Sequence, residues 1–423
     1  MDTSQRSSVL RKLIKAVGSR YSFIDFGDVG CPVCCIAALP NEGIDAGHGW
    51  LPQAARPRFH RAALGRGMTT EQAVQSCLGE AVELVSSCFW GNEAIIESSA
   101  NNTSQKSVAI EDLVLVSDQQ YTDRADWNAR LAGFSQLPTG KSTTSCRSWI
   151  EAECLTGNGS FLVPARYALV GYSNASPWSH NYIGNSTGCA AAPSFDEAIV
   201  AGFLELVERD AAAIWWYGKH SRSAIDLSGL EKPREISRWL IDSGRSCQVL
   251  DISTDLEIPV CAALSVLPDG SGLALGFAAH FDIRIAIEAA LTELVQQAFA
   301  SEIQQQVRSG STDPQVFIVP IELVLDPALV PQTSINWREV RYACGAELTA
   351  QSCIEICKRH GLELLVVELT RHSLGVPVAR SIVPGLRQTL PAFARGRLYD
   401  VPKRLGWPNQ PVENELNCQP LVG

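Results

Sequence analysis

Apolar and polar positions alternate in two distinct rhythms along this chain. Three stretches carry helical spacing: TTEQAVQSCLGEAVEL (69–84), SFDEAIVAGFLELVER (194–209) and DIRIAIEAALTELVQQ (282–297). In each, an Ala is followed seven residues later by Glu, and three after that by Glu or Gln. The trios are Ala73, Glu80, Glu83; Ala198, Glu205, Glu208; and Ala286, Glu293, Gln296. Seven and three residues are about two turns and one turn, so each trio forms one stripe along an otherwise apolar helix. Ser194 with Glu197 is a capping box that starts the second helix; Thr69 with Gln72 repeats it in the first, and Asp282 can cap the third. A lone pair of acids fits a solvated helix face. The same stripe on three helices points instead to one shared polar site. Clustered carboxylates repel one another unless cations fill the space between them, and Mg2+ with phosphate oxygens would do that well.

The other rhythm is that of strands. YSFIDFGDVGCPVCCIAALP, CQVLDISTDLEIPVCAALSV and LLVVELTRHSLGVPVARSIV each read as strand, turn, strand. An apolar run ends near an acid (Asp25, Asp251, Glu368), and Pro-Val opens the second run. The first two copies each precede a glutamate helix. Repeated strand-and-helix units around one central cleft predict an α/β or α+β fold. Residues 1–21 predict an N-terminal amphipathic helix with Leu10, Leu13, Ile14 and Val17 on its apolar face. Residues 22–423 form the main domain, with a tail, 387–423, wrapping its surface. Strands are expected over 149–173, and helices near 121–132, at 230–243 and at 347–360, where Gly361 is a stop.

Composition narrows the function. A net charge of −10 lacks the basic footprint of a nucleic-acid binder. No apolar run reaches the length of about 18 residues that spans a membrane, and no signal peptide is evident, so a cytoplasmic protein is expected. The 14 Cys then read as reduced thiols. Gly140-Lys141-Ser142 resembles the end of a P-loop, but Ser135 stands where a glycine is needed and Pro138 interrupts it. The lone Cys31–Cys34 pair has no second pair at zinc spacing, and Cys353 and Cys357 read as core. His280 is the histidine placed nearest the third stripe; a loop histidine with satisfied hydrogen bonds fits it equally.

The segments SCLGEAVEL, STGCAAAPSFDEAIVAGFLELVERDAAAIWW, GFAAHFDIRIAIEAALTELVQQ, GVPVARSIVPGL and GRLYDVPKRLG with ELN resemble the YcaO family, over nearly the whole chain. The family's fold and its ATP- and Mg2+-dependent activation of backbone amides in ribosomally made peptides are what this resemblance implies. By it, Glu80, Glu83, Glu205, Glu208 and Glu293 would hold Mg2+, and Ser76, Ser186, Gly188, Glu197 and Gln296 would contact the nucleotide. Arg209 and Arg380 would lie near the phosphates and act in catalysis with Glu208. The implied partners are a ribosomal precursor peptide and a leader-binding protein of ThiF-like (ocin) or TfuA type; a homodimer is allowed. Azoline formation from Cys, Ser or Thr is the leading expectation, peptide thioamidation the alternative, and a non-catalytic nucleotide-binding scaffold the reading from another class. The family's first motif ends Glu-Arg, whereas Glu83 is followed by Leu84, and the Pro-rich terminus of azoline-forming members is reduced to Pro420. The resemblance also implies that the tail docks near the ATP cleft.

Overall fold

The structure, a computed structural model, describes residues 3–28, 30–41, 62–98, 105–131, 136–137, 148–172, 184–310, 326, 329–340 and 347–421. Side chains of residues 301–310 are outside that description, as are the triplet at 140–142 and the loop at 173–183.

All three strand–turn–strand segments form antiparallel pairs: Tyr21–Asp25 with Cys34–Pro40, Gln248–Asp251 with Val260–Ser265, and Leu365–Glu368 with Val378–Ile382. The second strand of each pair takes a further antiparallel strand on its other side. These are Ala63–Gly67, Ala274–Ala279 and Cys189–Ala191. Each of these strands leads into a glutamate helix: Thr70–Ser87, Ile283–Gly310 and Phe195–Tyr217. The fold is therefore built on three units of hairpin, third strand and helix. The unit around Phe195–Tyr217 is discontinuous in sequence, because its hairpin arrives more than a hundred residues after its helix. The first sheet has three strands. The second gains Ala224–Asp226 and Ser334–Asn336 to make five, and the third gains Ile96–Glu97, Ser148–Cys154 and Ser160–Pro164 to make six.

Helix and strand approach closely because glycines face the helices. A Cβ on Gly65 would lie 2.1 Å from the Ala73 carbonyl oxygen, and one on Gly276 2.2 Å from that of Ala290. No larger residue fits either place without separating the two layers. The helix starts follow the caps expected: Thr69 Oγ1 accepts from Gln72 N, Ser194 Oγ from Glu197 N, and Asp282 Oδ1 from Arg284 N.

Several expectations need correction. The helix near 121–132 is two short helices, Asp118–Thr122 and Arg124–Arg130. The strand expected over 149–173 ends at Pro164, which pairs with Trp149 near the beginning of the partner strand; the chain then turns through a short helix, Ala165–Ala168, and makes one isolated bridge, Val170 with Cys88. The helices expected at 230–243 and 347–360 are Glu231–Asp242 and Ala350–Arg359. Helix Thr3–Val17 buries Leu13, Ala16 and Val17 in the main core, but Ile14 is exposed. The tail contains a helix, Arg397–Leu405, and docks on the C-terminal end of Phe195–Tyr217. There Trp216 Nε1 donates to the Gln419 carbonyl at 2.8 Å, Asn417 N donates to the Tyr217 carbonyl at 2.9 Å, and Leu416 and Leu421 are buried. Arg397 grips Asp210 with Nε and Nη2, and its Nη2 also reaches Asp255 at 2.8 Å. No disulfide joins the described cysteines, and Cys353 and Cys357 are fully buried. Among the described residues no helix is long and apolar enough to cross a membrane.

Candidate functional site

The three stripes converge. One glutamate from each helix is anchored by the backbone of the segment that leads into that helix. Glu80 Oε2 accepts from Leu64 N at 2.9 Å, Glu205 Oε2 from Gly188 N at 2.9 Å, and Glu293 Oε2 from Phe277 N at 2.8 Å. Such a bond holds one carboxylate oxygen and orients the other. The same device therefore sets three acids, one per unit. Gly188 can serve in this way because it has a φ of +83° and because a Cβ there would meet the Ser381 carbonyl oxygen at 2.3 Å.

Between the helices lies a cleft of about 890 Å3. Its walls include Ser76, Glu80 and Glu83 from the first helix, and Glu205, Glu208 and Arg209 from the second. Glu293 and Gln296 come from the third, and Ser186 from the loop before the second. Among the described residues five glutamates thus face three cations, Arg209 together with Arg66 and Lys12. Arg66, on strand Ala63–Gly67, and Lys12, on the N-terminal helix, were not singled out in the sequence. Neither lies in a periodic pattern; for Arg66 the only signal is a basic residue between two glycines just before the first stripe.

Other expected residues lie elsewhere. Glu197 is exposed, with its carboxylate on Ser194 Oγ at 2.7 Å, so it is a cap and not a cleft residue. Gly188 acts through its backbone on Glu205. Arg380 is fully buried behind the wall. Its Nη1 donates to the carbonyls of Asn185 at 2.7 Å and Ala168 at 3.2 Å, and its guanidinium lies 4.9 Å from the Tyr167 ring centroid. It holds the Asn185–Ser186 loop rather than facing the cleft. His280 accepts from Asp282 N through Nδ1 at 2.9 Å and is a loop histidine. Leu84 packs against the core and does not line the cleft, so the place that Arg209 fills after Glu208 in the second helix brings no charge to the walls in the first. None of residues 387–421 lines the cleft, but Gln388, at the start of the tail, accepts from Asn185 Nδ2 at 3.4 Å on the loop that carries Ser186.

The acids are strained electrostatically. Burial pushes Glu80 up to about 7 and Glu208 up to about 8, with neighbouring glutamates adding to both shifts. Burial followed by Glu205 raises Glu83, and burial raises Glu205 despite Arg209 and the Gly188 N–H. Arg209 lies 3.6 Å from Glu205 and 3.8 Å from Glu208, and these acids hold it charged. Water still reaches them: the side chains of Glu205 and Glu208 are 28% and 15% exposed to the cleft.

Surplus carboxylates that protein cations do not balance fit divalent metal ions. Among the described residues no three Asp, Glu, His or Cys side chains could enclose an ion by themselves. Ions here would need further oxygens, which matches the habit of Mg2+ of using one or two carboxylates with substrate phosphates. A triphosphate alone would be repelled by the five acids, so metal and nucleotide fit only together.

The comparisons with known proteins agree with this chemistry. A family model described as YcaO cyclodehydratase, ATP- and Mg2+-binding, matches residues 64–387. An uncharacterised protein of Methanothermobacter thermautotrophicus is 30% identical over 264 residues, which are 59% of this chain and 68% of that protein. A heterocyclase solved in complex with substrate and cofactor superposes with a TM-score of 0.83 at 27% identity, covering 97% of this chain and 57% of its own. The heterocyclase TruD gives 0.68 at 30% identity, covering 84% of this chain and 51% of its own. The chain therefore spans little more than half the length of these two heterocyclases. YcaO from Methanopyrus kandleri, bound with AMPPCP and Mg2+, shares the fold, with a TM-score of 0.65 at 17% identity over 92% of this chain and 96% of its own.

Proposed function

This chain belongs to the YcaO family, and from that premise we propose that it activates a peptide backbone amide with ATP, forming azoline rings in a ribosomally made peptide. The observation that carries the reading is the convergence of Glu80, Glu205 and Glu293, each anchored by a backbone N–H, around a cleft with more acids than bases. Glu80, Glu83, Glu205, Glu208 and Glu293 would hold Mg2+, which when bound neutralises phosphate charge and orients it. Arg209, paired with Glu205 and Glu208, stands ready to balance charge that develops on the transferred phosphoryl group. Ser76 and Ser186 supply hydroxyls at the wall. Arg380 contributes by fixing the loop that carries Ser186 and Gly188.

An amide oxygen is a poor leaving group. A neighbouring Cys, Ser or Thr of the peptide adds its sulfur or oxygen to the carbonyl carbon. The resulting oxyanion takes the terminal phosphoryl group of ATP, giving ADP. Loss of phosphate and of the amide proton then leaves the C=N bond of the ring, so the peptide loses one water. Little covalent chemistry falls to the protein; positioning and charge neutralisation carry the step.

A separate protein that grips the peptide leader is part of this reading, as the family resemblance implies. Modification by the isolated chain is expected to be slow and to accelerate when that partner is added. The test is mass spectrometry of the encoded peptide after incubation with chain, partner, ATP and Mg2+. Loss of one water per modified residue, dependent on ATP, is expected. Exchange of oxygen for sulfur would replace cyclodehydration by thioamidation, and ATP turnover absent with every peptide would leave only a nucleotide-binding scaffold.

A further inference from the structure

The anchors of the three glutamates are not alike. Leu64 and Phe277, which hold Glu80 and Glu293, lie inside strands Ala63–Gly67 and Ala274–Ala279, and the ladders fix their backbone. Gly188, which holds Glu205, stands in a turn just before strand Cys189–Ala191. A turn outside a ladder takes its hydrogen bonds from elsewhere. Asn185 supplies three of them. Its backbone carbonyl accepts from Arg380 Nη1 at 2.7 Å. Its side-chain Oδ1 accepts from Thr187 N at 3.2 Å, closing an Asx turn. Its Nδ2 donates to Gln388 Oε1 at 3.4 Å. Gln388 is buried and held in its turn: its Nε2 donates to the Leu113 carbonyl at 3.0 Å and to the Tyr167 hydroxyl at 3.3 Å.

The orientation of both amides follows from one end of this chain of bonds. A backbone carbonyl only accepts, so the nitrogen of Gln388 must face Leu113 and its oxygen must face Asn185. That oxygen requires the nitrogen of Asn185, which leaves Asn185 Oδ1 for the Thr187 N–H. Turning either amide over would set two oxygens or two N–H groups against each other. We infer that Asn185 and Gln388 are positioning residues: a relay of two side-chain amides sets the turn that places the Gly188 N–H against Glu205 and Ser186 on the cleft wall. Neither residue lines the cleft itself. The inference rests on the proposed metal–nucleotide site and names what holds one of its anchors in place.

The test is calorimetric binding of Mg2+–ATP to the wild type, Asn185→Ala, Asn185→Ser, Gln388→Met and the double variant Asn185→Ala with Gln388→Met. The Mg2+ concentration that half-saturates binding is the second readout, and thermal melting of each variant confirms folding. Asn185→Ala and Gln388→Met are each expected to weaken binding about fivefold and to raise the Mg2+ requirement about threefold, because a displaced Glu205 holds metal less well. Leu416→Ala, which destabilises from the far end of the second glutamate helix, is the control and is expected to move neither readout. The double variant is expected to be at most about twofold weaker than the worse single, because both residues act through one turn. Asn185→Ser keeps an oxygen for the Thr187 N–H but does not reach Gln388, so it should match Gln388→Met. Asn185 is only partly buried, so its two variants carry the test even where Gln388→Met does not fold. Wild-type affinity and Mg2+ requirement in any of the three folded single variants, or losses that multiply in the double variant, would overturn the inference and leave the nucleotide site standing. Absence of nucleotide binding by the wild type would overturn both.

Discussion

A glutamate inside an apolar helix must find its compensation outside that helix. Glu80, Glu205 and Glu293 each find part of it in one backbone N–H, and the remainder is left to the cleft. The consequence is a pH dependence of unusual sign. Burial raises Glu80 to about 7 and Glu208 to about 8 in the folded chain, while an unfolded Glu titrates near 4.3. The folded state therefore holds more protons between these values, and the stability these two groups contribute is fully present below about pH 4.3 and lost as pH rises through 7 and 8. Metal ions displace those protons, so the rise in melting temperature given by Mg2+–ATP should be larger at pH 8.5 than at pH 6.5. Equal rises at both would contradict the raised carboxylates. The stripes were legible in the sequence because a helix turns a spacing into a face. Arg66 was not, since one basic residue on a short strand has no period. Glu197 was legible as a cap, and the structure keeps it as that alone.

Elements were readable where their pattern was local. The three hairpins announced themselves by an apolar run, an acid, a turn and Pro-Val. The third strand of each unit did not: Cys189–Ala191 is three small residues, and Ala63–Gly67 has the sequence ALGRG, so neither alternates. Nothing local could tell that Val378–Ile382 pairs with Cys189–Ala191, because that pairing joins segments nearly 190 residues apart in the chain. The tail was legible as a docked segment but not as to where. Its site, against Trp216 and Tyr217 at the far end of the second glutamate helix, gives it a task of support. Leu416→Ala should therefore lower stability by about 2–5 kcal/mol in chemical denaturation, the usual range for a buried leucine. At temperatures where the variant stays folded, Mg2+–ATP affinity should be unchanged. Unchanged stability, or a large loss of nucleotide affinity in the folded variant, would contradict this role.

At the scale of the whole molecule, three copies of one unit each deliver an anchored acid to a common cleft, while sheets and tail hold the backs of the helices. The claim that this convergence makes a metal–nucleotide site is testable in one titration. Mg2+–ATP is added, in a calorimeter, to the wild type and to a chain carrying Glu80→Gln, Glu205→Gln and Glu293→Gln. Glutamine keeps an oxygen for the Leu64, Gly188 and Phe277 N–H groups and relieves repulsion, so the triple variant should fold with stability equal to or above the wild type. The wild type is expected to bind ATP only with Mg2+ present, and the triple variant to bind at least a hundredfold more weakly, because three charged oxygen ligands are gone. Binding by the wild type that persists undiminished in a metal chelator, or wild-type affinity in the folded triple variant, would contradict the account.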